Sequence, residues 1–242
     1  MIDYVLAILL IVVMPARALY KSRRGARPDA DRVKRYLLSS AIIVGLLGLL
    51  CYAWVHAARA ATLLGLDMPL SPRGIVGFVI AAVIIAALAF VTVFKKRKNQ
   101  GSKSEAAKLR LEGNESLPRN RRELCLFLLF ALLAGCGWEL LYRGFLIWFL
   151  VPHTGTIGAI CIAALAYAAA HGYKNRTQFI ASIVSAFAFT IAFVLTASLW
   201  WLMLIHTLIG FVGGFAGYKR ASAGVENPSL AGAVGESQEV AA

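Results

Sequence analysis

Glu123 to Val151 reads ELCLFLLFALLAGCGWELLYRGFLIWFLV, 29 residues with very few polar groups. How this block meets a membrane decides the fold. As one straight helix it would extend roughly 43 Å, against a hydrocarbon core of about 30 Å. Gly135-Cys136-Gly137 interrupts it, and glycine is the residue that tolerates a break. The spacing therefore predicts two helices: a short re-entrant or interfacial one over Glu123 to Cys136, and a true span that begins near Glu139.

Six further apolar stretches flank the block. They are Ile2 to Tyr20, Leu37 to Ala58, Gly74 to Phe94, Ile157 to His171, Gln178 to Thr196 and Leu199 to Tyr218, each of a length suited to a bilayer. Of the 242 residues 60% are hydrophobic and only 15% charged, which excludes an ordinary soluble enzyme. The fold class expected is all-α, a polytopic membrane protein of about eight hydrophobic helices, seven spanning and one short.

The net charge of +13 is an orientation signal and does not indicate a nucleic-acid partner, because the basic residues sit between apolar runs. Eight lie between Arg17 and Arg35, ten between Lys95 and Arg122, two at Lys174 and Arg176, and two at Lys219 and Arg220. Only Arg59 and Arg73 fall in the opposite set of connections, and Arg143 lies within an apolar run. By the positive-inside rule the N-terminus is outside and the C-terminus cytoplasmic. Asp3 and the late basic cluster argue against a cleaved signal peptide. The organisation expected is a three-helix membrane region over 1–94, a polar cytoplasmic loop over 95–117 with helical propensity around Ser104 to Leu111, a core over 118–220, and a disordered tail over 221–242. Cys51, Cys125, Cys136 and Cys161 all lie in apolar runs without a CxxC pair and read as small buried hydrophobes.

Ionisable groups inside membrane segments cost several kcal/mol, so each is a functional candidate. The second half holds Glu139, Arg143, His171 and His206. Glu139 and Arg143 are one helical turn apart in the favourable order for an ion pair, which suits a structural pair as well as a catalytic one. Two histidines in the same otherwise apolar half favour a converging polar site. The depth of the residues constrains it: His171 precedes Lys174 and Arg176, so a full crossing before Glu139 would separate the two, whereas the glycine break would bring them level.

At these residues the chain resembles the CPBP group of CAAX proteases and bacteriocin-processing enzymes, also called the Abi family, which are glutamic-type intramembrane endopeptidases. The family pattern is Glu-Glu-x-x-x-Arg-Gly, then aromatic-x-x-x-His, then His-x-x-x-Asn/Asp on successive core helices. Here the segments read WELLYRGF from Trp138, YAAAHGY from Tyr167 and HTLIG from His206, and the resemblance covers Pro118 to Tyr218. It implies a cofactor-free peptidase acting on a membrane-associated protein or peptide in the lipid bilayer, in a bacterial inner membrane. By the same resemblance, Glu139 and His171 activate water, His206 stabilises the oxyanion, and Arg143 orients Glu139. The chain departs from the pattern at two positions, Trp138 and Gly210, which replace the first Glu and the Asn/Asp. The missing acid would lie about 140° around the helix from Arg143. Thr207, Asn175 or backbone donors are the candidate substitutes for the lost oxyanion partner.

The same residues admit other readings. Glu139, His171 and His206 are chemically adequate ligands for a catalytic zinc. Cys136 is a weak candidate nucleophile. A non-cutting relative would use the same cavity as a scaffold or chaperone, and a transporter would show broken helices in paired halves.

Overall fold

The computed structural model describes residues 1–23, 32–98, 117–173 and 175–226. Seven long helices follow one another among these residues: α1 (Ile2–Arg23), α2 (Arg32–His56), α3 (Pro72–Lys98), α4 (Arg121–Glu139), α5 (Ile147–Ala170), α6 (Arg176–Thr196) and α7 (Trp200–Glu226). A π-helical stretch, Leu140–Leu146, joins α4 to α5 without a break. Five helices, with Arg121–Ala170 counted as one, are long and apolar enough to cross a membrane, and Pro72–Ala86 is a shorter apolar one. Long helices are what a lipid environment permits, because each backbone donor and acceptor is satisfied within the segment. The large side chains left exposed, such as Val55, Ile157, Val184, Leu195 and Val212, are those a bilayer would cover.

The expected break at Gly135–Gly137 does not occur. Helix α4 runs unbroken through both glycines, so Glu123 to Cys136 forms the first turns of a continuous leg and not a separate re-entrant helix. The glycines serve close packing. A Cβ on Gly135 would lie 2.8 Å from the backbone nitrogen of Thr207, and one on Gly137 would lie 2.5 Å from Ile43 Cγ2. Helix α7 repeats the device: a Cβ on Gly210 would lie 2.9 Å from the Ala131 Cβ, one on Gly214 2.6 Å from Phe127, and one on Gly217 2.6 Å from Leu117. Small residues let two backbones approach where no hydrophobic driving force separates helix from lipid.

The real turning point is Gly155, at φ 70° and ψ 171°, a conformation open essentially to glycine alone. Pro152, three residues earlier, weakens the helix just before it. The chain thus rises through α4, the π stretch and the first turns of α5, and descends through the rest of α5 after Gly155. Glu139 and His171 each lie 16 positions from Gly155 in the numbering (155 − 139 and 171 − 155). At about 1.5 Å per residue the two arms are of equal length, so the bend at Gly155 brings Glu139 level with His171.

At the end of the bundle away from that site, Arg59 meets Asp3 through two hydrogen bonds of 2.6 and 2.9 Å. Its guanidinium also covers Trp148 at 4.5 Å and Trp54 at 5.2 Å. The hydrogen bonds to Asp3 push the Arg59 pKa above its ordinary value. One of the two basic residues on the charge-poor side is thereby neutralised by a partner.

Helix α7 continues to Glu226, six residues into the stretch expected to be disordered; the small, helix-tolerant Ala221-Ser222-Ala223 prolongs it, with Ser222 Oγ bonded to the Tyr218 carbonyl. The rest of that tail, and the expected helical propensity around Ser104 to Leu111, lie outside the described residues. The four cysteines are free, but Cys51 and Cys125 are exposed instead of buried. An apolar thiol on an outer helix face needs no protein cover where that face meets lipid.

Candidate active site

Asn120 starts α4 as an N-cap, accepting from the Glu123 amide at 2.9 Å, while Glu123 accepts in return from the Asn120 side chain and the Arg119 amide. This reciprocal cap satisfies the open amides of the first turn. It also fixes the role of Glu123, which is far from the motif residues. Five turns on, Glu139 and Arg143 are 1% and 0% exposed and paired, with Arg143 Nη1 3.2 Å from Glu139 Oε1. The guanidinium carbon sits 3.6 Å from the centroid of the Tyr167 ring, a stacked position that a lysine could not reproduce.

The same Glu139 oxygen lies 2.8 Å from Nδ1 of His206. That oxygen is also the acceptor of the Arg143 guanidinium, so in this contact it accepts and His206 Nδ1 donates. His171 Nδ1 lies 2.9 Å from the backbone oxygen of Tyr167; a carbonyl only accepts, so this nitrogen is also protonated. Both tautomers follow from the bonding partners. In each ring Nε2 is left as the free nitrogen. Tyr167 connects the parts: its ring centroid lies 4.4 Å from that of His171, and its hydroxyl lies 3.4 Å from His206 Nδ1.

His171 and His206 line one cavity of about 240 Å³ together with Trp138, Tyr142, Tyr167, Phe127, Phe130 and Gly210. Glu139 and Arg143 stand behind its wall and are not among the lining residues. Both positions where the chain departs from the family pattern, Trp138 and Gly210, do face the cavity. The helical offset anticipated for the missing acid is seen here: position 138 faces the cavity and position 139 faces Arg143.

All four residues expected at the site are accounted for. Glu139, Arg143 and His206 are in direct contact, and His171 joins them through Tyr167 and the cavity. No hydrogen bond links Glu139 to His171 among the described residues. Cys136, half-buried, is not a lining residue. The zinc alternative is not supported: no group of three His, Cys, Asp or Glu side chains suited to a metal is found among the described residues. Glu139 bonds to the His206 ring edge instead of converging with it on a common point. Asn175 is engaged as the cap of α6 through the Gln178 amide, whereas Thr207 Oγ1 is buried against Gly135 without a hydrogen-bond partner among the described residues and is not among the residues lining the cavity. Trp138 and Tyr142 also line the cavity; their spacing of three and seven positions after Gly135 on a long helix is the signal for them in the sequence.

A family model described as type II CAAX prenyl endopeptidase Rce1-like matches residues 120–212. The match covers 93 of the 242 residues and agrees with the resemblance of the same segment to the CPBP group. The matched residues include Glu139, Arg143, Tyr167, His171 and His206, and the long apolar helices mark an integral membrane protein. Helices α1 to α3 lie outside the matched residues. No curated protein and no solved structure gives a significant match to the chain.

Proposed function

We propose that the protein is an intramembrane endopeptidase that hydrolyses a peptide bond of a membrane-associated protein or peptide, with its N-terminus outside and its C-terminus cytoplasmic. The observation that carries this reading is the pair of imidazoles on one cavity, each with Nδ1 committed to an oxygen and Nε2 free. In this reading the attacking water sits in the cavity against the two Nε2 atoms, which would accept its hydrogens and leave an oxygen lone pair for the attack. As that oxygen attacks the scissile carbonyl, His206 Nε2 takes the proton, and Glu139 stabilises the charge that forms on the ring. When the carbon–nitrogen bond breaks, that proton passes from His206 Nε2 to the leaving nitrogen, and the second proton of the attacking water, accepted by His171 Nε2, also ends on the amine, so the products are a carboxylate and an ammonium group. Arg143 keeps Glu139 charged and fixed in a region of low dielectric, where such preorganised charge acts most strongly. Positioned general-base catalysis of this kind supplies about 10²–10⁴-fold. The distribution of basic residues among the connections supports this orientation, in which the His171 end of the cavity would face the cytoplasm.

A second reading has its own support. The lining residues include no carboxylate, and both family positions that changed, Trp138 and Gly210, face the cavity. A protein that binds a partner's transmembrane segment without cutting it would have this arrangement. The test is cleavage of a reconstituted membrane peptide by wild type, Glu139→Gln and His171→Ala. Cleavage by wild type with loss in both variants supports the peptidase. Equal cleavage by all three rules out the catalytic assignment, and retained peptide binding without any cleavage favours the scaffold.

A further inference from the structure

His171 is the last residue to leave α5, so the backbone just after it sets where its ring sits. Gly172 turns the chain there at φ 74°, a left-handed conformation suited to glycine. The next amide, that of Tyr173, donates 2.9 Å to the hydroxyl of Ser22 near the end of α1. Ser22 in turn donates 2.8 Å to its own helix at the Ala18 carbonyl. The proton of the hydroxyl is thus committed inward and its lone pair outward, toward the turn. The approach is tight as well: a Cβ on Gly172 would lie 2.6 Å from Ser22 Oγ and 3.4 Å from the Ala18 oxygen.

A second contact ties the same helix to the cavity wall. The Tyr142 hydroxyl donates 2.9 Å to the Leu10 carbonyl, within a π-helical stretch of α1, Leu9–Val13. Tyr142 packs edge-on against Tyr167 at 5.3 Å, whose carbonyl holds His171. Neither Ser22 nor Leu10 lies within the residues matched by the family core.

We propose that Ser22 is a positioning residue for His171: α1, from outside the Rce1-like core, clamps the Gly172–Tyr173 turn and thereby fixes the His171 imidazole at the cavity. The functional weight of this clamp rests on the peptidase reading, but the geometry can be tested without a substrate.

The probe is diethyl pyrocarbonate, which acylates unprotonated imidazole nitrogen. The full chain in detergent micelles is treated at limiting reagent over a range of pH, and acylation of His171 and His206 is followed peptide by peptide by mass spectrometry. Ser22→Ala removes the acceptor for the Tyr173 amide. Loss of one ordinary hydrogen bond corresponds to about a fivefold rise in the population of the loosened turn; because His171 is exposed with Nε2 already free, the readout is orientation and not access, and the pH profile of His171 acylation shifts as its Nδ1 bond to Tyr167 loosens, while that of His206 changes little. Ser22→Thr, which keeps a hydroxyl, restores the wild-type rate and profile. Ser22→Cys, with a weaker acceptor of similar shape, shifts His171 in the same direction as alanine and replaces it if the alanine variant does not fold. An unchanged His171 profile in Ser22→Ala or Ser22→Cys overturns the proposal, as does an equal shift at both histidines, which marks general loosening. A His171 response in a protein that cleaves nothing leaves the clamp standing and removes only its catalytic meaning.

Discussion

Gly135 is where the packing of α4 on α7 and the geometry of the site are most closely coupled. A Cβ there would meet Thr207 Oγ1 and lie 2.8 and 2.9 Å from the Thr207 nitrogen and Cα. Carbon contacts are normally about 3.5–4.0 Å, so Gly135→Ala requires the α7 backbone to retreat by roughly 0.6–1 Å. Backbone cannot rotate aside as a flexible side chain can. His206 is the residue next to Thr207, and its Nδ1 is 2.8 Å from Glu139; a shift of that size takes the bond to or beyond the ~3.2 Å limit of a good hydrogen bond. The expected cost is about 1–3 kcal/mol in stability from overpacking and about 10²-fold in cleavage rate from misplacing the imidazole. Unfolding in mixed detergent micelles and cleavage of a reconstituted membrane peptide measure the two effects. Gly213→Ala is the control: it lies on the same helix α7, and an added Cβ there meets no heavy atom within 4 Å. It should be neutral or stabilising by up to about 1 kcal/mol through helix propensity. A Gly135→Ala protein as stable and as active as Gly213→Ala would refute the close-packing argument.

Three other outcomes are expected. Arg143→Met strands the buried Glu139 charge and should destabilise by about 3–5 kcal/mol, whereas Glu139→Gln combined with Arg143→Met should recover much of that loss in the same unfolding assay. Gly155→Ala forces an alanine into a backbone region open to glycine and should cost about 1–3 kcal/mol, seen as a lower unfolding midpoint, together with lower cleavage because the turn sets His171 level with Glu139. Glu139→Gln should reduce cleavage less than His206→Ala, since glutamine can still accept from His206 Nδ1; equal losses would return the base role to Glu139.

The spans were legible because the hydrophobic requirement of a bilayer is written residue by residue. Those read from Ile2, Leu37, Gly74, Gln178 and Leu199 all fall on helices. Charge alternation carried the connectivity, and it needs no extra helix once Arg121–Ala170 is seen to bend at Gly155. The error concerned glycine. Between apolar residues Gly135 and Gly137 read as a break, but inside a bundle the missing Cβ is used for helix contact, and only a steric partner distant in sequence reveals which use applies. The level placement of Glu139 and His171 was anticipated, yet through the wrong hinge. Glu139, Arg143, His171 and His206 were readable because charge and imidazole are costly in lipid. The pairing of Glu139 with His206 and the contribution of Ser22 were not, since both depend on contacts across 67 and 151 positions.

The most direct test of the account is cleavage in water enriched in ¹⁸O, with wild type and His206→Ala in proteoliposomes containing a membrane-anchored peptide library. The account predicts wild-type products that carry one ¹⁸O atom at the new carboxyl terminus, and loss of nearly all cleavage when His206 is removed. Equal labelled product from the His206→Ala protein would contradict it.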